Sequence, residues 1–215
     1  MDTSKLANKI SQPDLVPLIH KFLQDQLHPN SDSSTSTSLS AVLPFFDEPI
    51  SVYPSAVATF YAPSDLCGTQ GMCHECICAV EFWRRGHGCY NCVFVNTDPA
   101  VQGMLGLDIA HVCLFFSLTF CGKFYQCPLV HWFYQASDGP DEDTGMWIVH
   151  HDCNTAGSPT ADVLHLDTLV HTAHLIGIYW DKPLPKDLSS DQSLNIFWSY
   201  YVNKYIDHHG YEIAF

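Results

Sequence analysis

The chain of 215 residues contains ten cysteines and 13 histidines, and both side chains are common zinc ligands. Their densest grouping is a C-x2-C pair at Cys73 and Cys76, followed after twelve residues by a second pair at Cys89 and Cys92. Four thiolates in two close pairs can complete a tetrahedral zinc site. The spacing therefore supports one hypothesis, a zinc-stabilised binding module in which the metal supplies folding free energy to a loop of low apolar content.

The same cysteines have a second interpretation that requires no metal. Residues 90–96 are predicted to form a strand, which places Cys92 away from a tight metal-binding turn. Only two of the nine cations, Arg84 and Arg85, are arginines, and a single transition in a CGN arginine codon produces Cys or His. Loss of such codons explains many cysteines without a ligand role, so we expect no bound metal and no cofactor. Other cysteines lack a partner at ligand spacing, with Cys113 and Cys127 in apolar strands, Cys121 in a turn and Cys153 in a loop.

The remaining residues with catalytic potential do not form a recognisable active site. The acidic residues Asp138, Asp141, Glu142 and Asp143 are nearly contiguous and flanked by Gly and Pro, a pattern typical of a solvated loop. A two-metal nuclease instead needs carboxylates gathered from separate elements. No nucleophile or phosphate-binding motif occurs either. We therefore predict no catalytic residues, no cofactor-binding residues, no small-molecule substrate and no enzymatic activity.

Charge and hydropathy narrow the partners and the location. Nine Lys and Arg face 23 Asp and Glu, a formal net charge of −14, so we expect no direct binding to nucleic acid. The sequence has no apolar run of spanning length and no secretory signal pattern, which predicts an intracellular protein without membrane contact. A hydrophobic content of 47% predicts a folded core.

Three segments follow from the pattern of apolar and turn-forming residues. Residues 1–28 are predicted to be helical, with an apolar stripe, Ser11 as the N-cap and Pro29 as the stop. Residues 29–56 are predicted to be a disordered linker rich in Ser, Thr and Pro. Residues 57–215 are predicted to form the main domain.

Short strand patterns dominate this main domain. Strands are predicted over 90–96, 107–120, 124–134, 146–150, 163–166 and 174–179, with a hairpin loop at Cys121-Gly122-Lys123 and a turn over 167–172. A final helix is predicted over 190–208, with Gly210 as its stop. The fold class is therefore α+β and mostly β, a small antiparallel barrel of the SH3-like or BAH-like type with an N-terminal and a C-terminal helix.

Several strings in the chain are similar to one protein family. They are FYAPSD from Phe60, CVFVNTD from Cys92, DEDTGMWIV from Asp141, HLI from His174, YVNKYIDHH from Tyr201 and FLQDQLHP from Phe22. Together they resemble the C-terminal region of fungal Plavaka-type transposases, which belong to CACTA-like DNA transposons. The resemblance covers most of the chain outside the predicted linker.

The resemblance implies a role beside a catalytic core, because the transposase core of this family lies upstream of the matching region. It implies a non-catalytic accessory or interaction region of a transposon-derived protein, a degenerate remnant whose partners are a transposase core or a chromatin protein and whose location is nuclear. Several Cys and His residues fall where the family tends to have Arg, in agreement with codon loss: Cys73, His74, Cys78, Cys89, Cys113, Cys121 and His171.

Overall fold

The computed structural model describes residues 2–28, 46, 48–62, 70–84, 86–179, 184, 186–189 and 192–215. It confirms the mostly-β class, a nearly closed, barrel-like antiparallel sheet with helices at both ends of the chain. The strands are β1 Ser51–Tyr53, β2 Ser55–Tyr61, β3 Met72–Val80, β4 Cys89–Tyr90, β5 Cys92–Asn96, β6 Leu107–Phe120, β7 Lys123–Gln135, β8 Ile148–His151, β9 Ala161–Val163, β10 Leu169–Ala173, β11 Leu175–Gly177 and β12 Ser199–Val202. The α-helices are α1 Thr3–Lys9, α2 Leu15–Leu27, α3 Ser193–Ile196 and α4 His208–Ala214.

The long hairpin of β6 and β7 forms the centre of a nine-stranded sheet. Strands follow the order β10-β5-β6-β7-β8-β12-β11, and β1 and β9 add to the outer edges of β6 and β7. Each long strand is therefore paired by one neighbour along one half and by another neighbour along the other half. Strands β2, β3 and β4 form a separate three-stranded sheet.

The hairpin turn has the conformation that the right-handed twist of the strands favours. Cys121 and Gly122 have φ of 51° and 77°, so both central residues occupy the left-handed region, as in a type I′ turn. The predicted hairpin is confirmed, and β6 has the predicted bounds. The loop is one residue shorter than predicted, because Lys123 already belongs to β7.

A β-bulge interrupts the hairpin at Cys113. Val112 pairs with Val130 and Leu114 pairs with Leu129, so Cys113 is the extra residue on β6. An extra residue reverses the alternation of side chains on the strand that carries it. On β6, odd-numbered residues up to Cys113 and even-numbered residues from Leu114 therefore share one face of the sheet.

That shared face packs into two apolar clusters at its two ends. Leu114 and Phe116 lie in a buried cluster with Leu15 and Ile19 of α2. Ile109 lies in a second cluster, which includes residues of β7, β8 and β12. The opposite face packs against β3 in a third cluster. The stretch of β6 from His111 to Cys113 therefore lies between two hydrophobic cores, next to the bulge.

The N-terminal segment differs in detail from the prediction. It forms two helices rather than one, because the chain turns between them at Ser11, which has φ of 55°. Asp14 occupies the N-cap position of α2 in place of Ser11. Helix α2 ends at Leu27, close to the predicted stop. Its apolar stripe is buried against the sheet, as a short amphipathic helix requires.

The predicted linker is only partly described. Residues 29–45 and 47 lie outside the described residues, so the prediction of disorder there stays a prediction. The described end of the segment belongs to the fold: Phe46 and Ile50 are buried in the cluster with α2, and β1 and the start of β2 fall before residue 57. The described residues before 57 that pack into the core or form strands therefore do not belong to a disordered linker.

Two further predictions in the main domain are wrong. The helix predicted over 190–208 consists of the one-turn helix α3 and the strand β12, and the last helix, α4, starts at His208. Tyr200 and Val202 are both buried, and their spacing of two residues is the period of a strand. The aromatic residues of this segment also fit a helical period, which led to the helix prediction. The turn predicted over 167–172 ends at Thr168, where β10 follows and pairs with β5.

Candidate functional site

The structure does not gather the four cysteines of the sequence-based zinc hypothesis. Cys73 and Cys76 lie on the regular strand β3, three residues apart, so they point to opposite faces; Cys73 is buried and Cys76 is exposed. Cys76 instead neighbours Cys78, with their Sγ atoms 3.9 Å apart. Cys92 is buried in the cluster with β12, on another strand. A strand thus replaces the metal-binding turn that the spacing suggested.

A different set of ligand-type side chains meets at the bulge. Among the described residues, the one group of three or more Cys, His, Asp or Glu whose ligand atoms all lie within 4.8 Å of one another is His111, Cys113 and His131. His111 and His131 are directly paired across β6 and β7. We call this group the His–Cys cluster.

The cluster depends on the register of the hairpin. Near the turn, Leu118 pairs with Tyr125, and this register continued without change would place Trp132 opposite His111. The bulge at Cys113 takes up one residue, so that His131 pairs with His111 instead. It also places His111 and His131 on the same face of the sheet. The sequence did not indicate the cluster, because no second cysteine lies near Cys113; its near neighbour of ligand type is His111, two residues earlier, and the third member, His131, is distant in the sequence.

The hydrogen bonds around the cluster leave ligand atoms available. Nε2 of His131 lies 3.2 Å from Oε1 of Gln12, so it donates to that amide oxygen while Nδ1 keeps its lone pair. The Cys113 thiol donates to the carbonyl oxygen of His111, with 3.6 Å between Sγ and O. Nε2 of His111 is buried and has no hydrogen-bond partner within the described part of the chain.

Burial controls the protonation of the cluster. Burial and, to a smaller extent, the neighbouring His131 and His151 together lower the pKa of His111 to about 4. Burial and then His151 also lower the pKa of His131, and burial lowers that of His151. Burial raises the pKa of the Cys113 thiol to about 12. At neutral pH the imidazoles are therefore neutral and the free thiol is protonated, which makes it a poor nucleophile.

An open cleft of about 1060 Å³ lies over the His–Cys cluster. Its walls come from the α1–α2 turn, from β1, from the ends of β3 and β4, and from α3. Large apolar side chains along this cleft are exposed to solvent: Val52, Tyr53, Phe82 and Tyr90. We call these four residues the apolar rim. Lys9 and Glu81 are charged residues of the same cleft.

A second histidine group has a structural explanation. His171 is only 2% exposed and lies between two carboxylates, with Nδ1 3.5 Å from Oε2 of Glu75 and Nε2 3.7 Å from Oδ1 of Asp207. Glu75 also accepts hydrogen bonds from the backbone and the hydroxyl of Thr172, and Asp207 caps α4 through the backbone N–H of Gly210. These contacts join β3, β10 and α4.

The predicted acidic loop contains a local turn. Oδ1 of Asp141 accepts hydrogen bonds from the backbone N–H and the hydroxyl of Thr144, at 2.9 and 2.7 Å. These bonds lower the pKa of Asp141, which is half-buried. The carboxylate is thus used to close the turn, as short polar side chains commonly are. Asp138, Glu142 and Asp143 do not belong to the ligand group described above.

The chain matches no protein family model, no curated protein and no solved structure. The helices in the described part of the chain are too short or too polar to cross a membrane.

Proposed function

We propose that the chain is a non-catalytic interaction region of a transposon-derived, transposase-like protein, and that its cleft binds a basic protein segment. A transposase core or a chromatin protein would supply that segment, and the complex would act in the nucleus. The observation that carries the proposal is the open cleft with its apolar rim on a strongly acidic chain.

The size and the lining of the cleft favour a protein segment over a small molecule. Pockets for small molecules are typically enclosed and occupy about 300–1,000 Å³. This cleft is at the upper end of that range and is open, and the Phe82 side chain on its rim is 75% exposed. Exposed large apolar side chains grouped beside a groove are typical of protein-interaction sites, where aromatic residues contribute most of the binding energy.

The charge of the chain favours a basic partner. A net charge of −14 repels nucleic acid but attracts proteins that bind it. Transposase cores and chromatin proteins carry Lys and Arg for contact with phosphate. Electrostatic attraction of this kind raises the association rate and weakens with added salt.

Two observations support the absence of catalysis. Burial raises the pKa of the Cys113 and Cys127 thiols to about 12, so neither is activated for nucleophilic attack. His171 is held between carboxylates that hold other elements in place. The alternative, a zinc-stabilised module using Cys73, Cys76, Cys89 and Cys92, requires a rearrangement of β3.

The test is a binding measurement with two defined probes, the purified core of a Plavaka-type transposase and a fluorescein-labelled basic histone-tail peptide. We expect saturable binding to at least one probe that weakens between about 50 and 200 mM salt. Phe82→Ser should weaken it by about tenfold or more, the effect of removing one interface aromatic. Phe124→Ser is the matched control, because Phe124 is 57% exposed on the β6–β7 hairpin outside the cleft.

Three results would contradict the proposal. The first is no binding to either probe at low salt. The second is an equal loss of affinity in the Phe82→Ser and Phe124→Ser proteins, which would place the contact outside the cleft. The third is cleavage or strand transfer of plasmid DNA by the purified chain with Mg²⁺ or Mn²⁺, which would show a catalytic role.

A further inference from the structure

We propose that the His–Cys cluster is a zinc site, in which an imidazole nitrogen of His111, the thiolate of Cys113 and an imidazole nitrogen of His131 bind one Zn²⁺ at the floor of the cleft. The fourth coordination position faces the cleft and takes a water molecule or an exchangeable ligand. The site does not depend on the proposed interaction function, and it differs from the four-cysteine site suggested by sequence spacing.

The chemistry of the three side chains selects the metal. Two imidazoles and one thiolate suit zinc, whereas calcium and magnesium require oxygen ligands. Zinc sites with three protein ligands keep one position for water or substrate, and those with four are closed. Within the described residues the group holds three ligands and lines an open cleft, so the geometry points to the first kind.

The arrangement is close to that of a bound site before the metal enters. Bond lengths of about 2.0–2.1 Å to nitrogen and 2.3 Å to sulfur separate tetrahedral ligand atoms by about 3.3–3.6 Å. The three ligand atoms here lie within 4.8 Å of one another. Small rotations of the side chains would bring them to the metal, and the backbone pairing of β6 and β7 would stay as it is.

An unsatisfied nitrogen supplies an independent reason for a ligand. Nε2 of His111 is buried without a hydrogen-bond partner among the described residues. Leaving such an atom unpaired costs about 1–3 kcal/mol, and native proteins rarely tolerate it without a cause. Coordination of a metal through this atom would remove the cost.

Gln12 acts as a positioning residue for the site. Its Oε1 accepts from Nε2 of His131, the type of contact that orients the ring of a metal-binding histidine. Gln12 lies in the α1–α2 turn, and its backbone N–H donates to the carbonyl of Ala7 at 2.9 Å. The turn therefore holds the amide over the sheet, and metal binding would couple the N-terminal helices to the barrel.

Proton balance gives a quantitative signature. The imidazoles are neutral at pH 7, because burial lowers the pKa of His111 and His131, so they bind zinc without losing a proton. The Cys113 thiol is protonated, so its S–H bond breaks when the Zn–S bond forms and one proton goes to the buffer. The other titratable groups facing the cluster and its cleft are Lys9, Tyr53, Glu81, Cys89, Tyr90, Cys92 and His151.

The experiment is a titration of the reduced, metal-free chain with Zn²⁺ in the presence of a competing chelator. We expect about one site per chain and release of about one proton at pH 7, because the cysteine must lose its proton to bind zinc. Titration with Co²⁺ should show a sulfur-to-cobalt charge-transfer band together with the strong visible bands of a four-coordinate ion.

Variants separate this site from the other thiols of the chain. Cys113→Ser should remove the sulfur-to-cobalt band and weaken zinc binding by about 100-fold or more, whereas Gln12→Ala should keep the band and weaken zinc binding by about 10- to 100-fold. Cys76→Ser, which removes an exposed thiol of β3, is the matched control and should leave both readouts unchanged. A thermal melt of each metal-free variant shows whether it is folded.

Three results would overturn the proposal. One is a folded Cys113→Ser protein that binds zinc with unchanged affinity, while Cys76→Ser or Cys89→Ser loses it; the four-cysteine site would then be the correct one. The second is the absence of saturable zinc binding by the reduced chain, even if the chain binds copper. The third is a sulfur-to-cobalt charge-transfer band that persists in Cys113→Ser, which would show that Cys113 is not the sulfur ligand.

Discussion

Acidification should destabilise this protein through His111, and the replacement His111→Gln should remove that sensitivity. Nε2 of His111, a residue of β6, is buried without a hydrogen-bond partner among the described residues. A charged imidazole is costly there, because no described carboxylate contributes to its pKa and two further histidines lie close by. The introduced glutamine would keep a polar side chain of moderate size but could not take up a proton.

The magnitude follows from the pKa in the two states. The pKa of His111 falls from an ordinary value of 6.5 to about 4 in the folded chain. Each unit corresponds to about 1.4 kcal/mol, so the full effect is about 3 kcal/mol. Since the unfolded chain binds the proton first, this stability is fully present above about pH 6.5. It decreases as the pH falls and is lost below about pH 4.

The assay is urea unfolding of the metal-free chain at several pH values from 4 to 7.5, followed by tryptophan fluorescence. Trp147 is buried beside Val149 and Tyr200 and should report the transition. Wild-type stability should fall with a slope approaching about 1.4 kcal/mol per pH unit from His111 alone. Burial of His131 and His151 adds to the slope in the same direction.

His111→Gln should reduce the total loss between pH 6.5 and 4 by about 3 kcal/mol. The matched control is His74→Gln, which replaces an exposed imidazole on β3 and shows the effect of a surface substitution. An unchanged pH dependence in the His111→Gln protein would refute the reasoning, because the buried imidazole would then contribute nothing to acid sensitivity.

Two further predictions test the backbone at the start and at the turn of the β6–β7 hairpin. Gly106 lies directly before β6, and Gly106→Ala should lower the free energy of unfolding by about 2–3 kcal/mol, because its Cβ would overlap the carbonyl oxygen of Val101. Gly139→Ala, which meets no atom within 4 Å, is the control in the same urea assay, and equal effects would contradict this explanation. Cys121→Asn should raise the free energy of unfolding by about 0.5–1 kcal/mol, because Asn tolerates the positive φ of the turn better than Cys does; a decrease would show that the Cys121 side chain has another role.

The structure changes the meaning of the cysteine-rich sequence. Cys73 and Cys76 form a close pair in the sequence, yet they lie on opposite faces of β3. Cys113 has no other cysteine close to it in the sequence, yet its sulfur lies within 4.8 Å of two imidazole ligand atoms. A C-x2-C spacing predicts a metal site only where the chain forms a turn, because residues three apart on a regular strand point to opposite faces. The two zinc hypotheses therefore make opposite predictions for Cys76→Ser and Cys113→Ser.

The ends of the chain illustrate the limits of local pattern. The stripe of Phe197, Tyr200, Tyr201 and Tyr205 fits a helical period, but Tyr200 and Tyr201 pair with β8 in an antiparallel strand. Aromatic residues favour strands once a partner edge is available, and that edge comes from distant residues. The α1–α2 break at Ser11 likewise reflects tertiary packing, which brings Gln12 over the sheet.

The sequence by itself determined the mostly-β class, the two long strands and their hairpin. Long apolar strand patterns on either side of Cys121-Gly122 specify local pairing, and local pairing requires only neighbouring residues. The N-terminal amphipathic stripe also predicted a helix ending near Leu27. The acidic charge and the absence of known catalytic motifs could also be read without the fold.

Tertiary structure alone decided the candidate site. The register set by the turn would place Trp132 opposite His111, and only the bulge at Cys113 brings His131 into that position. The two halves of β6 on either side of the bulge pack against different hydrophobic clusters, and no local pattern records that packing. Because a shift of one residue exchanges the two faces of a strand, that bulge determines whether the histidines and Cys113 meet at all.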